Sequence, residues 1–185
     1  MAQTHGTMTI TDYFPHHVFQ YCPVCGAKKF QKSSEKSLKC QACGFQYFVN
    51  PAAAVAAIIT DSNNHILFTK RAQEPFKNTW DLPGGFVDPN ETAEEAVDRE
   101  VKEELSIHIQ SKSYYRSYWN HYFYGGVTYY TLDMAFLCQV NNFQNLKTSD
   151  EIRAYQFVPK NKVDLNKIGL PSIRRTVADY LLSNH

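Results

Sequence analysis

The chain has 185 residues, of which 43% are hydrophobic and 20% charged. That composition supports one domain, or one domain with a small module, and excludes wholesale disorder. Nineteen basic and eighteen acidic residues leave a formal charge of +1, which argues against a protein that coats nucleic acid through general basicity.

No apolar run approaches the roughly 20 residues that a membrane helix needs. The stretch from Met1 to Pro15 shows no secretory pattern. A cytoplasmic protein with no membrane partner is the expectation. Five cysteines are present, four of them in two tight pairs. In a reducing compartment such pairs indicate a metal site before they indicate disulfides.

Residues 1–20 read as a leader. Its histidines, His5, His16 and His17, read as solvated or packed side chains, with Tyr13, Phe14 and Phe19 available to pack the segment. Residues 21–49 form a cysteine module. Cys22 and Cys25 precede Gly26, and Cys40 and Cys43 precede Gly44. The two-residue spacing lets both sulfurs of a pair reach one ion, and four thiolates suit tetrahedral zinc. The glycines let the chain turn without a Cβ clash. A module this short buries too little to fold alone, so zinc would be structural, with no position left open for water. Its five lysines, from Lys28 to Lys39, read as charge for solubility.

Residues 50–185 form the main domain. Ala53–Thr60 and His65–Lys70 are apolar or β-branched runs around Asp61–Asn64, a pattern that predicts a hairpin. Residues 92–105 predict a helix, 127–140 a long strand with Cys138 buried in it, and 155–158 a short strand. Residues 170–182 predict a closing helix with Pro171 near its start. Strands interrupted by helices imply an α/β domain, a mixed sheet with helices on its faces.

The helix at 92–105 carries the chemistry. Ala93, Val97, Val101 and Leu105 recur every four residues and share one face. Glu100 and Glu104 border that buried side, with Glu103 at the same edge, whereas Glu95, Asp98 and Lys102 lie opposite. Carboxylates beside a core need a compensating partner, and clustered oxygen ligands favour Mg²⁺ or Mn²⁺. A plain surface helix is the alternative. Between Gly84 and Ile107 eight acids face two bases, leaving −6 there and +7 elsewhere.

Gly85, Glu91 and the run Arg99-Glu100-Val101-Lys102-Glu103-Glu104 resemble the signature box of the Nudix hydrolases. Trp80 to Gly85 resembles the usual approach to it. The resemblance covers about residues 50–160, and the cysteine module is similar to that of NADH pyrophosphatase-like members. It implies a Nudix α/β/α sandwich preceded by a zinc ribbon. It also implies divalent ions on Glu100 and Glu104 with Glu103 beside them, a backbone ligand from the Gly85 carbonyl, and Arg99 orienting a glutamate. Glu91 supports Arg99 or the loop, or is a plain helix-entry charge. Glu103 and Glu151 are the two candidates for the general base. Ser106 departs from the family's usual glycine just past the helix.

Tyr114 to Tyr130 is rich in aromatics, most of them expected in the core. Tyr118, Trp119 and Tyr122 are weak candidates for stacking on a nucleobase, and Arg116 for a terminal phosphate. The Ser-Gln-Pro-Trp-like signature of NADH pyrophosphatases is missing from Arg116 to Tyr124. The substrate class is therefore a nucleoside diphosphate joined to another group, of ADP-ribose, NADH or FAD type. The alternatives are a hydrolase that sanitises damaged nucleoside triphosphates and a non-catalytic ribbon protein that binds nucleic acid. A homodimer is one assembly the resemblance allows.

Overall fold

The computed structural model describes residues 14–183. The readings on His5 and Tyr13 lie outside them. The chain divides into two compact units, one running up to Pro51 and including His121–Tyr130, the other holding Ala52–Asn120 and the chain from Thr131 onward.

The first unit opens with a single helical turn, α1 (Pro15–Val18). Three antiparallel strands follow, β1 (Phe30–Ser34), β2 (Ser37–Cys40) and β3 (Gln46–Phe48), in that order across the sheet. Cys22, Phe30, Leu38 and Cys40 form its buried cluster, with Phe19 and Phe45 packed against it. Phe14 meets the Tyr130 ring at 5.7 Å, so both described aromatics of the leader are packed. His16 and His17 lie against each other in α1. Among the described residues, the four cysteines are the group of three or more metal-ligating side chains whose ligand atoms converge within 4.8 Å of one another.

Two further three-stranded sheets lie in the second unit apart from His121–Tyr130. One is ordered β4 (Ala52–Ile59), β8 (Val127–Val140), β7 (Ile109–Tyr124), with β4 and β8 parallel. The other is ordered β6 (Trp80–Asp81), β5 (His65–Arg71), β9 (Ile152–Pro159). Helix α2 (Ala93–Leu105) and helix α3 (Pro171–Leu182) complete the unit. Alternate residues of β4 sort the layers. Val55, Ala57 and Ile59 pack with Ala96, Val97, Val101 and Leu105 of α2. Ala56 and Ile58 pack with Ile173, Val177 and Tyr180 of α3. Successive side chains of a strand point to opposite faces, so the two helices cover opposite sides of the sheet. That is the α/β/α arrangement expected. It also explains why β4 reads as an unbroken apolar run, since both its faces are covered. Cys138 is buried in the α2-facing core.

Two expectations need correction. The Asp61–Asn64 turn forms: the Asp61 carboxylate accepts from the N–H groups of Asn63 and His65, and Asn64 takes φ 63°. Yet β4 and β5 do not make a hairpin ladder. They share an isolated bridge, Thr60 to Ile66, and then part, β4 to β8 and β5 to β9 and β6. Strand pattern fixes which face is apolar, not which strand is the neighbour. The second correction concerns the aromatic stretch. None of the nine aromatics between Tyr114 and Tyr130 is buried, and Tyr114, Trp119, Phe123, Tyr124 and Tyr129 are exposed. The buried residues here are small and polar, Asn120 and Thr128.

Ser106 ends α2 in the left-handed region, at φ 56° and ψ 26°. An L side chain is strained there and glycine is not. Ser106→Gly is expected to raise stability by about 0.5–1 kcal/mol, read as a higher denaturation midpoint at unchanged slope. A lower midpoint would show that the serine side chain contributes more than its backbone costs.

Candidate metal and catalytic site

The site begins with the chain after β6. Residues 83–87 run along the edge of β4 that β8 does not use. Ala57 N–H donates to the Pro83 carbonyl and Val55 N–H to the Gly85 carbonyl, each at 2.8 Å, and Val87 N–H donates to the Ala53 carbonyl at 3.0 Å. The approach is too tight for side chains. A Cβ on Gly84 would sit 2.1 Å from the Val55 carbonyl oxygen, and one on Gly85 would sit 2.4 Å from Glu100 Oε1. Gly84 is thus required by space, because it meets backbone, and a side chain at Gly85 would have to displace the carboxylate of a candidate ligand.

Helix α2 is started by a reciprocal cap. Thr92 Oγ1 accepts from Glu95 N–H at 3.2 Å, and Glu95 Oε2 accepts from Thr92 N–H at 2.8 Å. From that fixed start, Glu100 and Glu104 fall one turn apart on the side toward the 83–87 strand. Glu104 is buried, at 8% exposure. Its Oε2 accepts from Gly84 N–H at 3.0 Å, and no Lys, Arg or His among the described residues forms an ion pair with it. Burial pushes its carboxyl well above the ordinary glutamate value of 4.5, and the charges of Asp81, Glu100 and Glu151 add to the rise. Burial also raises Glu100, against the pull of Arg99 and with help from Glu103 and Glu151.

Arg99 ties the acids together. Its Nε and Nη2 donate to the two oxygens of Glu91 at 2.8 and 3.0 Å, a bidentate pair. Its Nη1 donates to Glu100 Oε1 at 2.9 Å and Glu103 Oε2 at 3.1 Å, and Nη2 also reaches the Phe86 carbonyl at 2.9 Å. These bonds, first of all those to Glu91, raise the guanidinium's pKa further. Of the two readings of Glu91, the geometry selects support of Arg99. The same pair lowers the Glu91 carboxyl.

Glu151 reaches the cluster from another element. Lys147 N–H and Ser149 N–H donate to the last carbonyls of α2, those of Leu105 and Glu104, at 3.0 and 2.9 Å. Those bonds seat the loop on the end of the helix, and the charge of Glu151 is felt by both Glu100 and Glu104. Glu103 and Glu151 are exposed.

Sequence reasoning missed Asp81. It is 6% exposed, accepts from Arg71 Nη1 at 2.8 Å, and accepts from Leu82 N–H at 2.9 Å. Burial raises its carboxyl despite Arg71. A lone acid between Trp80 and Leu82, in a run that is otherwise apolar, was the available signal.

The residues proposed for the substrate have partners of their own in the structure. Arg116 Nη1 and the Tyr118 hydroxyl both donate to Asp179 Oδ2 of α3. The rings of Tyr118 and Trp119 lie 5.1 and 4.8 Å from the Arg175 guanidinium, also on α3. Tyr122 stacks on Tyr129 at 6.0 Å. Helix α3 covers the sheet face opposite α2, so Arg116, Tyr118 and Trp119 serve its docking.

In the other unit, Cys22 Sγ lies 3.7 Å from Cys43 Sγ, and Cys25 Sγ 3.7 Å from Cys40 Sγ. All four sulfurs fall within 4.8 Å of one another. Tetrahedral zinc with bonds of about 2.3 Å spaces its sulfurs by about 3.8 Å, so the group fits that ion. Hydrogen bonds, first from the Cys43 backbone, hold the Cys40 thiol down to about 6. Gly26 and Gly44 take φ 70° and 79° at the knuckle turns, where their N–H groups donate to the Cys22 and Cys40 carbonyls.

A family model described as the NUDIX domain matches residues 50–180. An ADP-ribose pyrophosphatase of Methanocaldococcus jannaschii is 48% identical over 69 residues, 37% of this chain and 40% of that protein. The NAD-capped RNA hydrolase NudC of Haemophilus influenzae is 33% identical over 101 residues, 53% of this chain and 38% of that protein. The matches thus span two-fifths or less of these relatives. The crystal structure of a NUDIX hydrolase from Nitrosomonas europaea superposes with a TM-score of 0.68 at 22% identity. It covers 90% of this chain and 92% of its own, and shows the same fold.

Proposed function

The chain belongs to the NUDIX domain family, and on that premise we propose that it hydrolyses the diphosphate linkage of a nucleoside diphosphate joined to another group. ADP-ribose, NADH and FAD are the representative substrates, and Mg²⁺ or Mn²⁺ is the cofactor. The observation that carries the reading is Glu104. A buried carboxylate with one backbone donor and no cationic side chain lacks compensation, and a hard divalent ion on Glu104, Glu100 and the Gly85 carbonyl would supply it. The Gly85 carbonyl already accepts from Val55 N–H, and its second lone pair is available to an ion. When bound, such an ion neutralises phosphate oxygens and acidifies water.

The chain's own residues do the rest. Arg99 holds Glu100 and Glu103 in fixed positions, and Glu91 holds Arg99. An exposed carboxylate, Glu103 or Glu151, takes the proton of the attacking water. The base is the one whose glutamine variant lowers kcat while leaving metal affinity unchanged. Zinc on the four ribbon thiols is structural in this reading. A cytoplasmic setting suits five cysteines that are all unbridged. No helix among the described residues is long and apolar enough to cross a membrane.

Turnover of ADP-ribose, NADH, FAD, diadenosine polyphosphates and 8-oxo-dGTP, each with Mg²⁺ and with Mn²⁺, tests the proposal. Release of a nucleoside monophosphate from one of the first three is expected. Preference for 8-oxo-dGTP would move the chain to the sanitising class, and no turnover of any would overturn the hydrolase reading.

A pH dependence follows. The Glu104 carboxyl binds its proton more tightly in the folded than in the unfolded chain. Its contribution to stability is therefore fully present below about 4.5 and is lost as pH rises through the raised folded value. Without divalent metal, Glu104→Gln is expected to melt above the wild type at neutral pH, with the gap closing on acidification. A gap that is constant with pH would sink the reading that burial disfavours the charged form of Glu104.

A further inference from the structure

The cysteine ribbon presents a second surface that the glutamate site does not explain. Between residues 21 and 49 there are five lysines and a single acid, Glu35, and Glu35 is paired with Lys32 at 2.7 Å. The strand register sorts the remaining side chains. Gln31, Lys39 and Gln46 stand opposite one another across all three strands, and Ser37 stands opposite Phe48 in the next row of the same face. The other face holds Phe30, Leu38 and Cys40, which are buried. On the first face Gln31, Lys39 and Gln46 are exposed, and Phe48 keeps 50% of its surface in solvent. Lys29, also exposed, extends the row by two residues, its carbonyl taking the N–H of Gln41.

An exposed ring on this strand face, with ammonium and amide groups at neighbouring positions, is poorly explained by solubility. Lysine charge alone keeps a ribbon soluble, whereas exposing Phe48 has a hydrophobic cost. The apolar content of this face is one ring, Tyr47 being exposed on the opposite face, which does not suit a protein partner. Stacking on an aromatic ring requires an unpaired base, and phosphates are neutralised by lysine in any sequence. We propose that this face of the ribbon binds a single-stranded polynucleotide. A base stacks on Phe48, Lys39 and Lys29 sit at the phosphates, and the Gln31 amide meets base edges or sugar, together with the carbonyl oxygen of Gln46, whose Nε2 donates to Ser37 Oγ at 3.2 Å. The proposal rests on the ribbon alone and stands or falls separately from the hydrolase reading.

The test measures binding by the full zinc-loaded chain to fluorescent single-stranded RNA, single-stranded DNA and duplex DNA, without added Mg²⁺ and across a salt series. Both single strands are expected to bind more tightly than the duplex, and their ranking identifies which is the natural ligand. Phe48→Ala is expected to weaken single-strand binding about tenfold with the salt slope unchanged. Lys39→Gln is expected to reduce that slope by about 0.7. Hydrolysis of small nucleotides and zinc content should be unaffected in both variants. Wild-type binding by both variants, duplex preference, or no binding at low salt would each overturn the proposal.

Discussion

Glu104→Gln is expected to cut metal-dependent turnover by at least about a hundredfold, or about 3 kcal/mol of transition-state stabilisation, while the chain stays folded. The amide keeps the shape of the carboxylate, and either of its polar atoms can lie near Gly84 N–H, so packing changes little. What disappears is the charge. Glu104 is the most buried acid of α2 and, unlike Glu100 and Glu103, forms no ion pair with a cationic side chain among the described residues. The measurement is kcat/KM against Mg²⁺ concentration for wild type and variant, with the melting curve as a folding control. Near-wild-type rates would remove Glu104 from the metal site. A parallel loss in Arg99→Lys would test the clamp, because lysine cannot make the bidentate pair with Glu91 and reach Glu100 at the same time.

Loss of zinc is the second large effect. Cys40→Ser, or chelation of the native protein, is expected to unfold residues 21–49 without abolishing the cooperative melting of the Nudix unit. Four buried or partly buried residues, Phe30, Leu38, Phe45 and Phe19 among the cysteines, are a small core. Structural zinc contributes about 10–16 kcal/mol in isolated finger peptides, far more than such a cluster supplies by burial. The readouts are one zinc per wild-type chain by elemental analysis and protection of the ribbon from limited proteolysis. Cys40→Ser should lose both. Full zinc content with unchanged protection in the variant would show that the thiols are not the ligands.

Much of the fold was legible from local pattern. The cap at Thr92, the four-residue recurrence through Leu105 and the proline at the start of α3 are local rules, and the elements appear as expected. The run at 127–140 is the strand β8. The errors share one cause, which is the identity of neighbours. The turn at Asp61–Asn64 was readable, but not that its two strands leave for different sheets. The aromatics of β7 were readable as strand-compatible, but hydrophobicity does not tell an edge strand with exposed rings from a buried one.

The site divides in the same way. The residue types and spacing of the α2 glutamates and the paired cysteines were fixed locally, because a helix puts residues four apart on one side and a knuckle puts two thiols at one ion. The amino-acid sequence alone therefore determined which groups are candidates for the chemistry. Tertiary structure decided their environment. It set residues 83–87 along β4 so that Gly85 lies against Glu100. It brought Asp81 and Glu151 near Glu104 from separate elements, and it gave Arg116, Tyr118 and Trp119 to α3. Burial and long-range electrostatics depend on what packs from elsewhere in the chain, so no local pattern could have supplied them.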